Sequence, residues 1–281
     1  MLWEASKLNW GVIGTGNMGQ VIVTALLDSR TVEESSLYVT NRTLAKAKLL
    51  QKKYPEIHVA KSLEEMTTSC EVIFLCVKPK DFLTVLPTLS DQLTDNQLLI
   101  SITSAFSVEE LEQLVSCQVM RLIPSITNYS LAGVSLLTFG KRIPEEKQKW
   151  MEELCHAFSR PMIIEESKVR IASDLVSCGP AFFAFLAEKY IKDADALTDL
   201  SYPEATILLQ EMFIGFGKLI QEGHFTLDEL IEKVCVKGGI TGEGIASLEN
   251  SAYDVFQKLI DATHTKFKHE KMTLAKQLQQ R

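Results

Sequence analysis

The residues best suited to chemistry in this 281-residue chain stand at glycine-rich turns and strand ends. Gly14-Thr15-Gly16-Asn17-Met18-Gly19 has the spacing G-x-G-x-x-G, which suits a dinucleotide pyrophosphate. Gly14 permits a tight turn, Gly16 lets the backbone approach phosphate, and Gly19 lets the next helix lie close to the sheet. The N–H groups at that helix start would face the anion. The bland alternative is a tight turn at a strand end. The context favours binding, because the motif follows the apolar run Trp10 to Ile13 and precedes a helical pattern from Gln20 to Leu27.

Two further strand ends carry candidate cofactor contacts. An acid at the end of the second strand would bind a ribose 2′-hydroxyl and repel a 2′-phosphate. This chain has Thr40-Asn41-Arg42-Thr43 there, and a neutral Asn41 beside the guanidinium of Arg42 suits a 2′-phosphate. NADPH is the expected cofactor. If Arg42 only stacks on adenine, NADH is tolerated as well. After the apolar run EVIFLCV, Val77 and Lys78 could line the nicotinamide ribose while Pro79 ends the strand and fixes the loop. A strand terminator with a solvated lysine is the alternative there. Ser104, after the run QLLISIT, completes the expected cofactor set. Near the other end, residues 235–250 read CVKGGITGEGIASLEN, with four glycines between stretches of helical pattern, although glycine is poorly suited to helix interiors.

The elements that must position these residues alternate through the first half. SLYVT, IHVA, EVIFLCV, QLLISIT, CQVMRLI and GVSLLTFG read as strands, and Leu44 to Lys53, Ser107 to Leu114 and Pro144 to Phe158 as helices. Ser107 opens its helix as a variant capping box. Such alternation predicts an α/β, Rossmann-type doubly wound sheet over residues 1–164. From Lys168 the alternation stops. Ile171 to Ala187, Pro203 to Gln221, Leu227 to Cys235 and Ile245 to Ala262 carry helical spacing, which predicts an all-α domain over residues 165–281, with the stretch from Thr265 a solvated terminal helix. The apolar faces of AFFAFLAEKYI and ILLQEMFIGFGKLI are wider than so small a domain needs, and an obligate homodimer that interleaves them is expected.

Composition narrows the function classes. A net charge of -7 and a pI near 5.4 disfavour a nucleic-acid partner. No unbroken apolar run reaches the ~20 residues of a membrane span, and MLWEASKLNW lacks the features of a signal peptide, so no membrane association and a cytoplasmic location are expected. Six cysteines without C-x-x-C pairs read as reduced thiols, and five histidines without ligand spacing predict no metal.

Together GVIGTGNMG, the Asn-Arg pair, CVKPK, RLIP, SCGPAFF and KGGITGEGIASLE resemble the pyrroline-5-carboxylate reductase family, in that order along essentially the whole chain. The likeness is strongest to its late-competence, ComER-like branch. The resemblance implies a Rossmann domain, a helical dimerisation domain whose partner completes the active site, and NADPH-dependent reduction of a cyclic imine, 1-pyrroline-5-carboxylate, to proline. It also implies that Gly238, Gly239, Ile240 and Thr241 bind the substrate carboxylate near the imine, with Thr241 catalytic or, as a plainer role, a helix N-cap. Glu222 lies near an acidic position of the family, though a solvated helix-end glutamate explains it equally. The chain departs from the family pattern at Val236-Lys237 and Ile240, where the family has Ser-Pro and a small residue or Thr. It departs again at Ile123-Pro124-Ser125-Ile126-Thr127 and at Val176-Ser177-Cys178-Gly179-Pro180-Ala181. Two alternatives follow: a reductase of another imine or keto acid, and a cofactor-binding paralogue with little activity and a regulatory, competence-related role.

Overall fold

The structure is a computed structural model that describes residues 8–279. Strands β1 (Trp10–Ile13), β2 (Leu37–Thr40), β3 (His58–Val59), β4 (Val72–Leu75), β5 (Leu98–Ser101), β6 (Gln118–Ile123), β7 (Val134–Phe139) and β8 (Arg160–Ile163) form one sheet in the order β3-β2-β1-β4-β5-β6-β7-β8. The first six are parallel, β7 runs antiparallel to β6, and β8 is parallel to β7. The turn of direction at β7 has a plain cause. A parallel return needs a crossover of about a dozen residues or more, and the link 124–133 is shorter.

Both faces of the sheet are covered. Val72 and Phe74 join one apolar cluster while Ile73 and Leu75 join the other, so the alternation along β4 feeds two cores. Helices α1 (Asn17–Asp28), α2 (Leu44–Lys53), α3 (Leu63–Ser69), α4 (Pro79–Gln92), α5 (Val108–Glu112) and α6 (Glu145–Cys155) supply the cover. Helix α5 opens with the expected box: Ser107 Oγ accepts from Glu110 N at 3.0 Å and Ser107 N donates to Glu110 Oε2 at 2.6 Å. Two features escape the sequence pattern. Pro79 opens α4 at its first position, where its missing N–H costs nothing, rather than fixing a loop. Strand β8 follows the helix expected to close the sheet; its Pro161 and largely exposed side chains are marks of an edge strand.

One full charge lies inside the sheet. Arg121 of β6 is fully buried, and its guanidinium donates to Glu166 Oε2 at 2.6 Å and Oε1 at 3.2 Å, to the Phe106 carbonyl at 3.1 Å and to Thr138 Oγ1 at 3.2 Å. The carboxylate and two further acceptors replace the water given up by the two Nη groups, while the buried Nε finds no hydrogen-bond partner among the described residues.

The chain forms two compact units. One comprises the described residues up to Pro180 together with those from Thr263, and the other is residues 181–262. In the first, α7 (Val169–Ser173) runs into a π-helical turn, Asp174–Cys178, and then into α8 (Gly179–Leu197). The second contains most of α8, with α9 (Tyr202–Gln221), α10 (Leu227–Val234) and α11 (Ile240–Ala252). Helix α12 (Val255–Gln279) belongs to the second unit at its start and to the first at its end. The helical stretch Glu166–Leu197 is long and apolar enough, by length and composition, to cross a membrane, with a mean hydropathy of 1.4 in its most apolar window. A search for unbroken apolar runs passes over it, since a windowed average tolerates the occasional charge within the helix.

The C-terminal stretch is the expected helix, mostly solvated but anchored along one face. Leu274 of α12 is buried in the cluster that contains Phe82 and Phe106, and Lys271 Nζ lies 3.7 Å from Glu110 Oε2 of α5. Truncating a buried leucine removes its transfer free energy and leaves a cavity, so Leu274→Ala is expected to destabilise the sheet unit by about 2–4 kcal/mol. Denaturant unfolding followed by tryptophan fluorescence measures this, and an unchanged midpoint would mean the helix end carries no packing energy.

Candidate functional site

The strand order reverses beside β1, whose neighbours β2 and β4 lead the chain in opposite directions, and open α/β sheets bind ligands at the carboxyl ends of strands at such a point. A cavity of about 580 Å³ lies there. It is lined by Gly14 and Gly16 after β1, Asn41 and Arg42 after β2, and Val77 and Lys78 after β4. Thr15 belongs to the first turn and Asn17, Met18, Gly19 and Pro79 open the helices that follow, all without lining it, and Ser104 follows β5 outside its wall.

The turn is held by backbone geometry that only glycine supplies. Gly14 has a φ of +100°, its N–H donates to the Thr40 carbonyl at 2.8 Å, and an added Cβ would stand 2.6 Å from the Cys76 carbonyl oxygen. At Gly19 a Cβ would stand 1.9 Å from the Gly14 carbonyl oxygen, so helix and turn are in contact without room for a methyl group. Gly16 differs: no atom lies within 4 Å of the place its Cβ would take. It is also the N-cap of α1, with no side-chain hydrogen bond to the cap. Open space thus stands beside a helix start whose N–H groups lack a side-chain partner, a cradle that fits a dinucleotide pyrophosphate.

Asn41 proves to be a brace. Its Oδ1 accepts from Thr15 N at 3.1 Å and its Nδ2 donates to the Thr43 carbonyl at 3.0 Å, which fastens the glycine turn to the end of β2. Arg42 Nη1 lies 2.9 Å from Asp81 Oδ1 of α4. Lys46, Lys61, Lys80 and Asp81 also line the cavity and escaped the sequence reading, although the run Lys78-Pro79-Lys80-Asp81 placed two of them at a strand end. The lining is therefore strongly cationic, as a phosphate-rich ligand requires. Burial pushes the Cys76 thiol well above its ordinary pKa, so this lining residue is neutral and offers no thiolate. The thiols of Cys70 and Cys117 are pushed up to about 12, chiefly by burial.

The second glycine segment belongs to the helical unit. Gly238 has a φ of +75°, and Gly239 is the N-cap of α11 with no side-chain hydrogen bond to the cap. The helix starts at Ile240, earlier than the apolar spacing suggested, so Thr241 stands in its first turn and is not its N-cap. Ile240 is 92% exposed. Glu222 caps α9 and pairs with His224 at 3.0 Å on the surface.

The two departing motifs of the sheet unit are fastened to one another. Ser125 Oγ donates to the Val176 carbonyl at 2.7 Å, and Ser177 Oγ donates to the Pro124 carbonyl at 2.8 Å. Thr127 Oγ1 donates to Ser125 Oγ at 2.8 Å. Their hydroxyls join the loop after β6 to the π-helical turn.

Comparison with known proteins places these features in context. A family model described as pyrroline-5-carboxylate reductase dimerisation matches residues 166–270, and one described as NADP oxidoreductase, coenzyme F420-dependent, matches residues 9–105. ComE operon protein 4 of Bacillus subtilis is 44% identical over 95% of this chain and 98% of its own. Pyrroline-5-carboxylate reductase 3 of the same organism is 32% identical over 92% of this chain and 94% of its own. The crystal structure of Plasmodium falciparum pyrroline carboxylate reductase with NADP bound superposes with a TM-score of 0.84 at 21% identity, covering 95% of this chain and 99% of that one.

The glycines give a paired test of the cradle. Gly16→Ala fills open space at an ordinary φ, so its melting temperature should stay within about 2 °C of the parent. Its dinucleotide affinity should fall roughly 10-fold or more as the methyl group meets phosphate. Gly19→Ala should lower both, because α1 must move off the turn. Calorimetric binding and thermal melts separate the outcomes, and a Gly16→Ala chain that binds dinucleotide normally would remove the cradle from the argument.

Proposed function

Because the chain belongs to the pyrroline-5-carboxylate reductase family, we propose that it binds NADPH in the cavity above β1, β2 and β4 and reduces 1-pyrroline-5-carboxylate to proline. The observation that carries this reading is the cradle itself, an unfilled space at Gly16 over an open helix start within a cationic lining. Gly14 to Gly19 would hold the pyrophosphate, Arg42 with the neighbouring lysines the 2′-phosphate, and Val77, Lys78, Pro79 and Ser104 the nicotinamide side. NADH would be accepted more weakly. When bound, the cofactor supplies hydride from nicotinamide C4 to the imine carbon.

The chain's own task is orientation and charge. Backbone N–H groups of Gly239, Ile240 and Thr241 at the start of α11 would take the substrate carboxylate, as helix N-termini take anions. The Thr241 hydroxyl would donate to that carboxylate or to the ring nitrogen. A substrate that binds already protonated on nitrogen needs little acid catalysis, so holding donor and acceptor carbons within ~3.5 Å carries most of the rate. Functional division of the chain into residues 1–164 for the cofactor and 165–281 for substrate and assembly is part of this reading. So is a homodimer or larger homo-oligomer in the cytoplasm. The match to a dimerisation model and the exposed apolar faces of α8 and α9 support it, with Phe185 67% and Tyr190 69% exposed.

A second reading rests on Lys237 and Ile240, which stand in the substrate segment where the family has Pro and a small residue or Thr. A changed segment would admit a different imine or a keto acid. Mixing protein, NADPH and pyrroline-5-carboxylate and following loss of reduced-nicotinamide absorbance decides between them. Turnover is expected, and Thr241→Ala should lower kcat/KM by about 10- to 100-fold, the worth of one hydrogen bond to a charged group, with NADPH affinity unchanged. An unaffected variant would remove Thr241 from the site. Turnover of another imine alone would select the second reading, and none on a panel of imines and keto acids would leave a cofactor-binding regulatory paralogue.

A further inference from the structure

The cavity assigned to the cofactor contains an acid that is already engaged. Among its described lining residues Arg42, Lys46, Lys61, Lys78 and Lys80 are basic, and Asp81 alone is acidic. Asp81 Oδ1 lies 2.9 Å from Arg42 Nη1. The Arg42 side chain is 84% exposed, so packing does not hold it, and the Asp81 carboxylate is its ion-pair partner at the cavity. The partners come from separate elements. Arg42 follows β2, whereas Asp81 stands in the first turn of α4, where a carboxylate is favoured by the helix dipole.

The end of β2 carries no acid of the kind that repels a 2′-phosphate, yet an acid reaches the same guanidinium from elsewhere. A 2′-phosphate seated on Arg42 must therefore share the guanidinium with a carboxylate or displace it, and two anions on one cation repel. A 2′-hydroxyl meets no such opposition and can donate to the carboxylate.

We propose that Asp81 is a specificity-determining residue of the cofactor site: a built-in counter-anion on Arg42 that a 2′-phosphate must displace, narrowing the preference for NADPH over NADH. The proposal rests on the assignment of this cavity to the cofactor. Asp81→Asn keeps the size of the side chain and one acceptor oxygen, exchanges the other for an amide donor, and removes the charge.

Titrating the full chain with NADPH and with NADH, followed by reduced-nicotinamide fluorescence, tests it. Asp81→Asn should tighten NADPH on the order of 3- to 10-fold, as expected for one exposed charge near a phosphate, with the gain shrinking at high salt. NADH affinity should stay within about twofold or weaken. In an Arg42→Ala background the same substitution should tighten NADPH by a smaller factor than in the parent, because the contested cation is gone and only the direct repulsion between carboxylate and phosphate remains. A variant that binds NADPH more weakly, or in which both cofactors shift together, overturns the proposal. If the parent binds both cofactors and Asp81→Asn leaves their ratio unchanged, the proposal alone fails; if the parent binds neither, the cofactor assignment fails and takes the proposal with it.

Discussion

The apolar side chains of residues 181–262 find little cover within their own chain, and that constraint governs how the molecule works. Among the described residues of this unit Ile191 and Ala205 alone are buried, while Phe185, Tyr190, Ile207 and Leu208 each leave more than 60% of their surface exposed. Monomeric soluble domains rarely leave so much apolar surface in water. The sheet unit has two complete clusters on opposite faces and needs no such cover. The larger unit is thus a self-sufficient fold, and the smaller one presents apolar surface that suits assembly with further copies.

That asymmetry separates the two kinds of work. The geometry of the first glycine turn is fixed by close contacts inside the sheet unit: Gly19 against Gly14, Gly14 against Cys76, and Asn41 bridging Thr15 and Thr43. These depend on short-range sterics and hydrogen bonds that one chain satisfies alone. Among the described residues, the glycine segment of the helical unit is held only by its near neighbours in sequence: Gly239 N donates to the Val236 carbonyl at 2.9 Å, and a Cβ added there would stand 2.8 Å from Val236 Cγ2. No atom lies within 4 Å of the place a Cβ would take at Gly238 or Gly244.

How much of this the sequence disclosed follows the range of the interactions. Strands buried on both faces, such as Val72–Leu75, announce themselves as unbroken apolar runs, and the capping box at Ser107 is spelled within four residues. Strand β8 was hidden because an edge strand with a proline lacks that pattern. The pairing of Arg42 with Asp81 was hidden because it joins residues 39 apart, and the burial of Arg121 because its counter-charge lies 45 residues away. The start of α11 was misplaced because glycines dilute the apolar spacing of its first turn. Local chemistry is spelled in order along the chain, whereas charge pairing is settled only by the fold.

The open surroundings of the segment from Val236 to Gly244 bear on how such a chain can change over generations. Ile240 is 92% exposed and Val236 63% exposed, so substitutions at these two positions remove little packing within the chain itself, whereas Gly238, with a φ of +75°, and Gly239, where a Cβ would stand 2.8 Å from Val236 Cγ2, resist side chains. A methyl group at Gly19 would likewise collide with the turn beneath it. Drift is therefore cheap at exposed side chains such as Ile240, where substrate would be chosen, and costly at the glycines of both segments. A lineage built on this scaffold can explore new reactants through a few tolerated replacements, while the part that confers its redox character stays under tight steric restraint.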